Sequence, residues 1–165
     1  MLNNYNGFKK IYKINSRLSK KGILFRDITT LIKDEKAFAE TINQIVEKSK
    51  KFEFDKIAAI ESRGFVFASA VSYILNKPFI MLRKKNKLPA DVHSVDFELE
   101  YGTATIEVHK DSINSGEKIL IIDDLIATGG TAEAAAKLVE ISKGKVAAFI
   151  FVINLFDLGG CKSLL

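Results

Sequence analysis

The 165-residue chain has one cysteine, two prolines, two histidines and no tryptophan. The single cysteine, Cys161, excludes an internal disulfide and fits a reducing cytoplasm. Its neighbours Gly160 and Lys162 supply no machinery for a nucleophile. His93 and His109 stand away from cysteine or acidic clusters at ligand spacing, which argues against a structural zinc site. No apolar run reaches the ~18 residues that span a bilayer, so no membrane partner is expected. The opening Met1-Leu2-Asn3-Asn4-Tyr5-Asn6 lacks the basic region and apolar core of a secretory signal. A cytoplasmic location is the resulting expectation.

Hydrophobic residues make up 47% and charged residues 27%, the composition of a single globular domain large enough for a real core. The formal net charge is +5 and the sequence pI about 9.2. A basic balance suits a solvated surface, nucleic acid or a strongly anionic small substrate. Part of the charge is concentrated in Arg83-Lys84-Lys85-Asn86-Lys87.

Apolar periodicity places the elements. Phe8, Ile11, Tyr12, Ile14 and Leu18 have near-helical spacing and predict an N-terminal helix. Asp34 can cap a second helix reaching about Lys50, with Phe38, Ile42, Ile45 and Val46 on its buried face. Residues 56–60 read as a core strand, 64–75 as a helix and 78–83 as another strand, with Pro78 acceptable at its start. Residues 84–94 carry charge, Pro89 and no periodicity, which predicts a long mobile loop. Residues 97–101 and 104–108 alternate apolar and polar side chains around Gly102, an antiparallel hairpin pattern. After a turn at Asn114-Ser115-Gly116, a strand, a helix over 131–142 and a last strand over 146–153 follow. This alternation predicts an α/β fold: a doubly wound, mainly parallel sheet flanked by helices, with the hairpin as an outgrowth.

The most informative stretch is residues 119–131, Ile-Leu-Ile-Ile-Asp-Asp-Leu-Ile-Ala-Thr-Gly-Gly-Thr. Its unbroken apolar start reads as a strand buried on both faces of a parallel sheet. Asp123 and Asp124 then fall at the carboxyl end, where open α/β sheets bind ligands. Ala127, Thr128, Gly129, Gly130 and Thr131 let the backbone approach an anion and end where a helix N-terminus offers free N–H groups. Such a site suits a ligand with both a phosphate and a diol. The run lacks the Gly-Lys-Ser/Thr of a nucleoside-triphosphate P-loop and the spacing of a dinucleotide fingerprint. A second apolar strand ends in Glu61-Ser62-Arg63-Gly64, and Arg63 there could face an anion or make a surface salt bridge.

Residues 119–131 resemble the phosphoribosyl pyrophosphate signature of the type I phosphoribosyltransferases. The resemblance implies that Asp123 and Asp124 hold the ribose hydroxyls and that Ala127 to Thr131 wrap the 5′-phosphate. It makes Glu61, Ser62 and Arg63 the pyrophosphate loop, where members often hold a non-proline cis peptide at the bond corresponding to Glu61–Ser62. The pattern Gly22-Ile23-Leu24-Phe25-Arg26-Asp27-Ile28-Thr29 resembles the base-binding region of the adenine-specific branch, with Leu24, Phe25 and Arg26 on the purine. The proline that commonly precedes this glycine is absent; Ser19, Lys20 and Lys21 stand there. Arg83 to Pro89, with Leu99-Glu100-Tyr101-Gly102, is similar to the same branch's flexible catalytic loop and hairpin. Lys87 and Arg83 would then serve the pyrophosphate, Arg83 across a dimer interface in some members. Glu100 would exchange the purine proton, with Tyr101 lining the site.

The resemblance runs from about Ile14 to Gly160 and implies one phosphoribosyltransferase domain. Its parts would be a base-binding hood at about 1–33 and a flexible loop and hairpin at 84–108. It further implies conversion of adenine and phosphoribosyl pyrophosphate to AMP and pyrophosphate, in a homodimer. Magnesium would be held mainly by substrate and water, with no direct protein ligand. Two alternatives remain at this point: the same chemistry on hypoxanthine or guanine, or a nucleic-acid-binding regulator of the same fold. The chain has almost no room for an appended helix-turn-helix, so no nucleic-acid partner is expected.

Overall fold

The computed structural model describes residues 11–13, 28–99 and 102–154. Its elements in chain order are β1 (Ile11–Lys13), α1 (Thr29–Lys33), α2 (Glu35–Ser49), β2 (Lys56–Ile60), α3 (Arg63–Leu75), β3 (Phe79–Lys84), β4 (Val92–Leu99), β5 (Gly102–His109), β6 (Lys118–Ile126), α4 (Gly130–Ile141) and β7 (Lys145–Asn154). They build a seven-stranded sheet in the order β1-β7-β6-β2-β3-β5-β4. The first five strands in that order are mutually parallel, and β5 and β4 are antiparallel additions beyond β3.

The central strands are apolar on both faces because both faces are covered. On β6, Ile119 and Ile121 face one layer while Leu120 and Ile122 face the other; on β2, Ala58 and Ile60 oppose Ile57 and Ala59. One layer holds α4, whose Ala132, Ala135, Leu138 and Val139 pack with Val95 and Ile106 of the hairpin. The opposite layer holds α1, α2 and α3 through residues such as Leu31, Ile45, Phe67 and Val71.

The topology positions the crevice. From β2, the crossover through α3 leads to β3 on one side; from β6, the crossover through α4 leads to β7 on the other. The neighbouring strands β2 and β6 therefore flank the point where strand order reverses, and their carboxyl ends open onto a common cleft.

Four expectations change. Ile11–Lys13 form a strand paired in parallel with Phe149–Phe151 rather than helix, the sheet edge overriding a near-helical spacing. The predicted loop 84–94 shrinks to residues 85–91, because Lys84 closes β3 and Val92 opens β4. The hairpin is not an outgrowth: β5 pairs with β3 at Arg83 and Lys84 and continues the sheet. Finally, β6 does not stop at the acidic pair but runs on to Ile126, because Asp123, Leu125 and Ile126 keep their pairing with β7.

Candidate active site

At the carboxyl ends of β2 and β6 lies a cavity of about 270 Å³. Glu61, Ser62, Arg63, Asp123, Asp124, Ala127, Thr128, Gly129 and Thr131 all line it, so two turns some sixty residues apart in sequence share one space. Lys84, Phe97, Ala104, Thr105 and Ile106 form the wall contributed by β3 and the hairpin.

The acidic pair is buried although it borders the cavity; Asp123 is 9% exposed and Asp124 4%. Asp124 N–H donates to Asp123 Oδ1 at 2.9 Å. Arg63, the first residue of α3, places its Nε 2.9 Å from Asp124 Oδ2. That is an ion pair by distance, but the N–H is not aimed at the oxygen, and buried Oδ2 receives no hydrogen bond. Burial pushes the Asp123 carboxyl well above its ordinary range, and the like charge of Asp124 adds to this. Burial also raises Asp124, with Arg63 opposing it. The pair is held at a cost and is receptive to hydrogen-bond donors.

Gly64 makes this packing possible. A Cβ there would stand 2.7 Å from Asp123 Oδ1 and 3.1 Å from the Ile122 carbonyl. Only glycine lets the start of α3 lie this close to β6. The sequence does not reveal this role of Gly64, because the atoms it admits belong to Ile122 and Asp123, far along the chain.

The loop between Ile126 and α4 forms the opposite wall. Gly129 caps α4 with φ +95° and has no side chain to satisfy the first helical N–H groups. The turn thus leaves backbone donors at the positive end of a helix beside the cavity. A Cβ on Gly130 would meet the Glu98 carbonyl at 3.3 Å, so the hairpin sits directly on this turn.

The Glu61–Ser62 peptide is cis, at the bond singled out from the sequence. Glu61 does not point at an anion as a free group. Its carboxylate accepts from Arg83 Nε at 3.2 Å, Arg83 Nη2 at 3.3 Å and the Lys84 N–H at 3.0 Å. Burial alone would raise its pKa, but these hydrogen bonds and the charges of Arg83 and Lys87 bring it below the ordinary value. Arg83 Nη1 also donates to the Lys87 carbonyl at 3.2 Å. Arg83 and Lys87 are therefore tied to the turn at residues 61–63, although neither lines the cavity itself. Leu24, Phe25, Arg26, Glu100 and Tyr101 lie outside the described residues.

Comparison with known proteins bears on this arrangement. Residues 28–157 match the phosphoribosyl transferase domain. The adenine phosphoribosyltransferase of Pelagibacter ubique is 79% identical over 145 residues, covering 88% of this chain and 83% of the relative. The chain belongs to the adenine phosphoribosyltransferases of the phosphoribosyl transferase family. The Agathobacter rectalis enzyme of the same name is 50% identical over 144 residues, covering 87% of this chain and 83% of the relative. A crystal structure of adenine phosphoribosyltransferase from Thermoanaerobacter pseudethanolicus superposes with a TM-score of 0.82 at 47% identity. It covers 89% of this chain and 86% of that one. The doubly wound, mainly parallel sheet flanked by helices is the fold that the sequence predicted, and it is shared with these relatives. Among the described residues no helix is long and apolar enough to cross a membrane.

Proposed function

We infer that the chain acts as an adenine phosphoribosyltransferase, joining adenine to phosphoribosyl pyrophosphate with formation of AMP and release of pyrophosphate. This makes it a glycosyltransferase of purine salvage. The observation that carries the chemistry is the buried Asp123–Asp124 pair, with an unsatisfied Oδ2, set between Arg63 and the uncapped N-terminus of α4. A diol can donate to the carboxylates while a phosphate occupies the helix end and a second anion meets Arg63. The choice of adenine is supported by the relatives' names and by the Leu24-Phe25-Arg26 motif. A Saccharomyces cerevisiae relative, 35% identical with a TM-score of 0.78, was solved with adenine and an imino-altritol bisphosphate. It covers 87% of this chain and 84% of that chain.

In the reaction, the C1′–oxygen bond to pyrophosphate breaks as adenine N9 bonds to C1′, and the N9 proton leaves to a base. Asp123 and Asp124 orient the ribose, and their negative charge favours the cation developing at C1′. Backbone N–H groups of residues 127–131 hold the 5′-phosphate. Arg63, with Lys87 and Arg83 at the loop, balances the departing anion. Leu24, Phe25 and Arg26 hold the purine, Glu100 takes its proton directly or through water, and Tyr101 lines the site. Closure of the loop over the crevice would exclude water as a competing nucleophile.

The donor set suits a hydrated divalent cation that arrives with its substrate. Asp123 and Asp124 line the cavity, while no group of three His, Cys, Asp or Glu among the described residues forms a metal cage. Magnesium, when bound, would neutralise the pyrophosphate charge, and Asp123 and Asp124 would hold it through its water shell. A cytoplasmic homodimer, with one domain per chain comprising a hood at about 1–33 and a loop and hairpin at 84–108, completes the reading.

The test is turnover with magnesium, phosphoribosyl pyrophosphate and each of adenine, hypoxanthine and guanine. AMP from adenine alone is expected. No turnover with any base, alongside salt-sensitive binding of DNA or RNA, would overturn the reading. Asp124→Asn should fold yet lose roughly 100-fold or more in kcat, the scale of removing a preorganised electrostatic contact. Unchanged kinetics would remove the acidic pair from the mechanism.

A further inference from the structure

One buried acid outside the crevice has no part in the chemistry described so far. Glu107 lies on β5, is 5% exposed and does not line the cavity. In the sheet register it stands opposite Arg83 of β3 and opposite Ser94 of β4. Arg83 is the next-to-last residue of β3 and Ser94 the third of β4, so Glu107 stands beside both strands that flank the 85–91 loop. Glu107 Oε2 accepts the Asn86 N–H at 3.0 Å, and Oε1 accepts from Ser94 Oγ at 3.4 Å. One carboxylate thus fastens both ends of the excursion.

The outgoing end is held with unusual completeness. Three consecutive N–H groups are captured by three different acceptors: Lys84 by Glu61, Lys85 by the Thr105 carbonyl and Asn86 by Glu107. Asn86 adopts φ +64°, a left-handed turn that asparagine tolerates, and Lys87 follows at once. The Lys87 carbonyl is then fixed by Arg83. A buried carboxylate costs stability unless hydrogen-bonded, and an apolar residue would suit this strand position if packing were its only task.

We propose that Glu107 is a positioning residue: by holding the Asn86 N–H and Ser94 hydroxyl it sets the base of the loop, so that Lys87 is presented toward the pyrophosphate end of the crevice. It touches no substrate and acts through Lys87. The inference rests on reading the crevice as a phosphoribosyl pyrophosphate site.

A double-mutant cycle on the full-length enzyme tests it. Glu107→Ala should raise the KM for phosphoribosyl pyrophosphate roughly tenfold or lower kcat comparably, with the adenine KM within about twofold. Glu107→Gln keeps an oxygen for the Asn86 N–H and should stay near wild type. Glu107→Asp keeps the charge but shortens the reach, and should reproduce the defect even if Glu107→Ala fails to fold. In a Lys87→Ala background, adding Glu107→Asp should change the kinetics little. Equal losses in both backgrounds, or a defect shared equally by adenine and phosphoribosyl pyrophosphate, would overturn the proposal. An inactive wild type would sink the reading of the crevice instead, so the two failures are distinguishable.

Discussion

At the scale of single residues, the crevice trades stability for chemistry. Asp123 is buried against another carboxylate, and both effects raise its pKa in the fold. The folded chain therefore binds more protons than the unfolded chain above the unfolded carboxyl value of about 4, and stability falls as pH rises from there toward the raised folded value. Asp123→Asn removes that loss. We expect its melting temperature at neutral pH to rise while turnover collapses. A melting temperature that drops at pH 7, or a wild-type curve that climbs between pH 4 and 7 on account of this group, would contradict the assignment. Gly64 is the steric counterpart. Gly64→Ala gains ~1 kcal/mol of helix propensity but forces a Cβ against Asp123 and the Ile122 carbonyl. A net loss of about 1–2 kcal/mol in urea denaturation is expected, with weaker binding of phosphoribosyl pyrophosphate. A more stable variant with unaltered KM would show that the contact relaxes freely.

At the scale of elements, caps and pleats explain which boundaries could be read in advance. Asp34 was legible as a cap because its signal is local, and its carboxylate accepts the Lys36 and Ala37 N–H groups at 3.0 and 2.9 Å. Asp34→Ala should lower stability by about 1 kcal/mol, visible as roughly 2–4 °C in melting temperature, and leave both substrate KM values alone. A kinetic effect would mean that α2 communicates with the crevice. The strand Lys56–Ile60 was equally legible from its apolar run. The limits of the loop after β3 were not. Lys84 and Ser94 look like loop residues in sequence, and only pairing of Lys84 with Ile106, and of Ser94 with Glu107, makes them strand. Ile11–Lys13 show the same effect more strongly, since a free parallel edge on β7 overrides the local period.

At the scale of the whole molecule, the crevice exists because β2 and β6 are neighbours whose crossovers diverge. Ligand binding should report on that assembly as a unit. Phosphoribosyl pyrophosphate with magnesium at 100 times its Kd should stabilise the fold by about 2.7 kcal/mol, equivalent to roughly 5–10 °C. The shift should shrink markedly in Asp124→Asn. An undiminished shift in that variant would place the ligand elsewhere on the molecule.

The sequence carries the chemistry-bearing turns on its own, because the apolar strand, Asp123-Asp124 and the small-residue loop are contiguous and their signal survives without a fold. It also determined the fold class, because burial of a sheet on both faces leaves unbroken apolar runs. What those groups meet is set by long-range packing. Arg63 faces Asp124, Glu61 is engaged by Arg83, Gly64 admits Asp123, and Glu107 fastens the loop that carries Lys87. Each of these pairs joins residues distant in sequence, and hydrogen bonds and close packing act through space rather than along the chain.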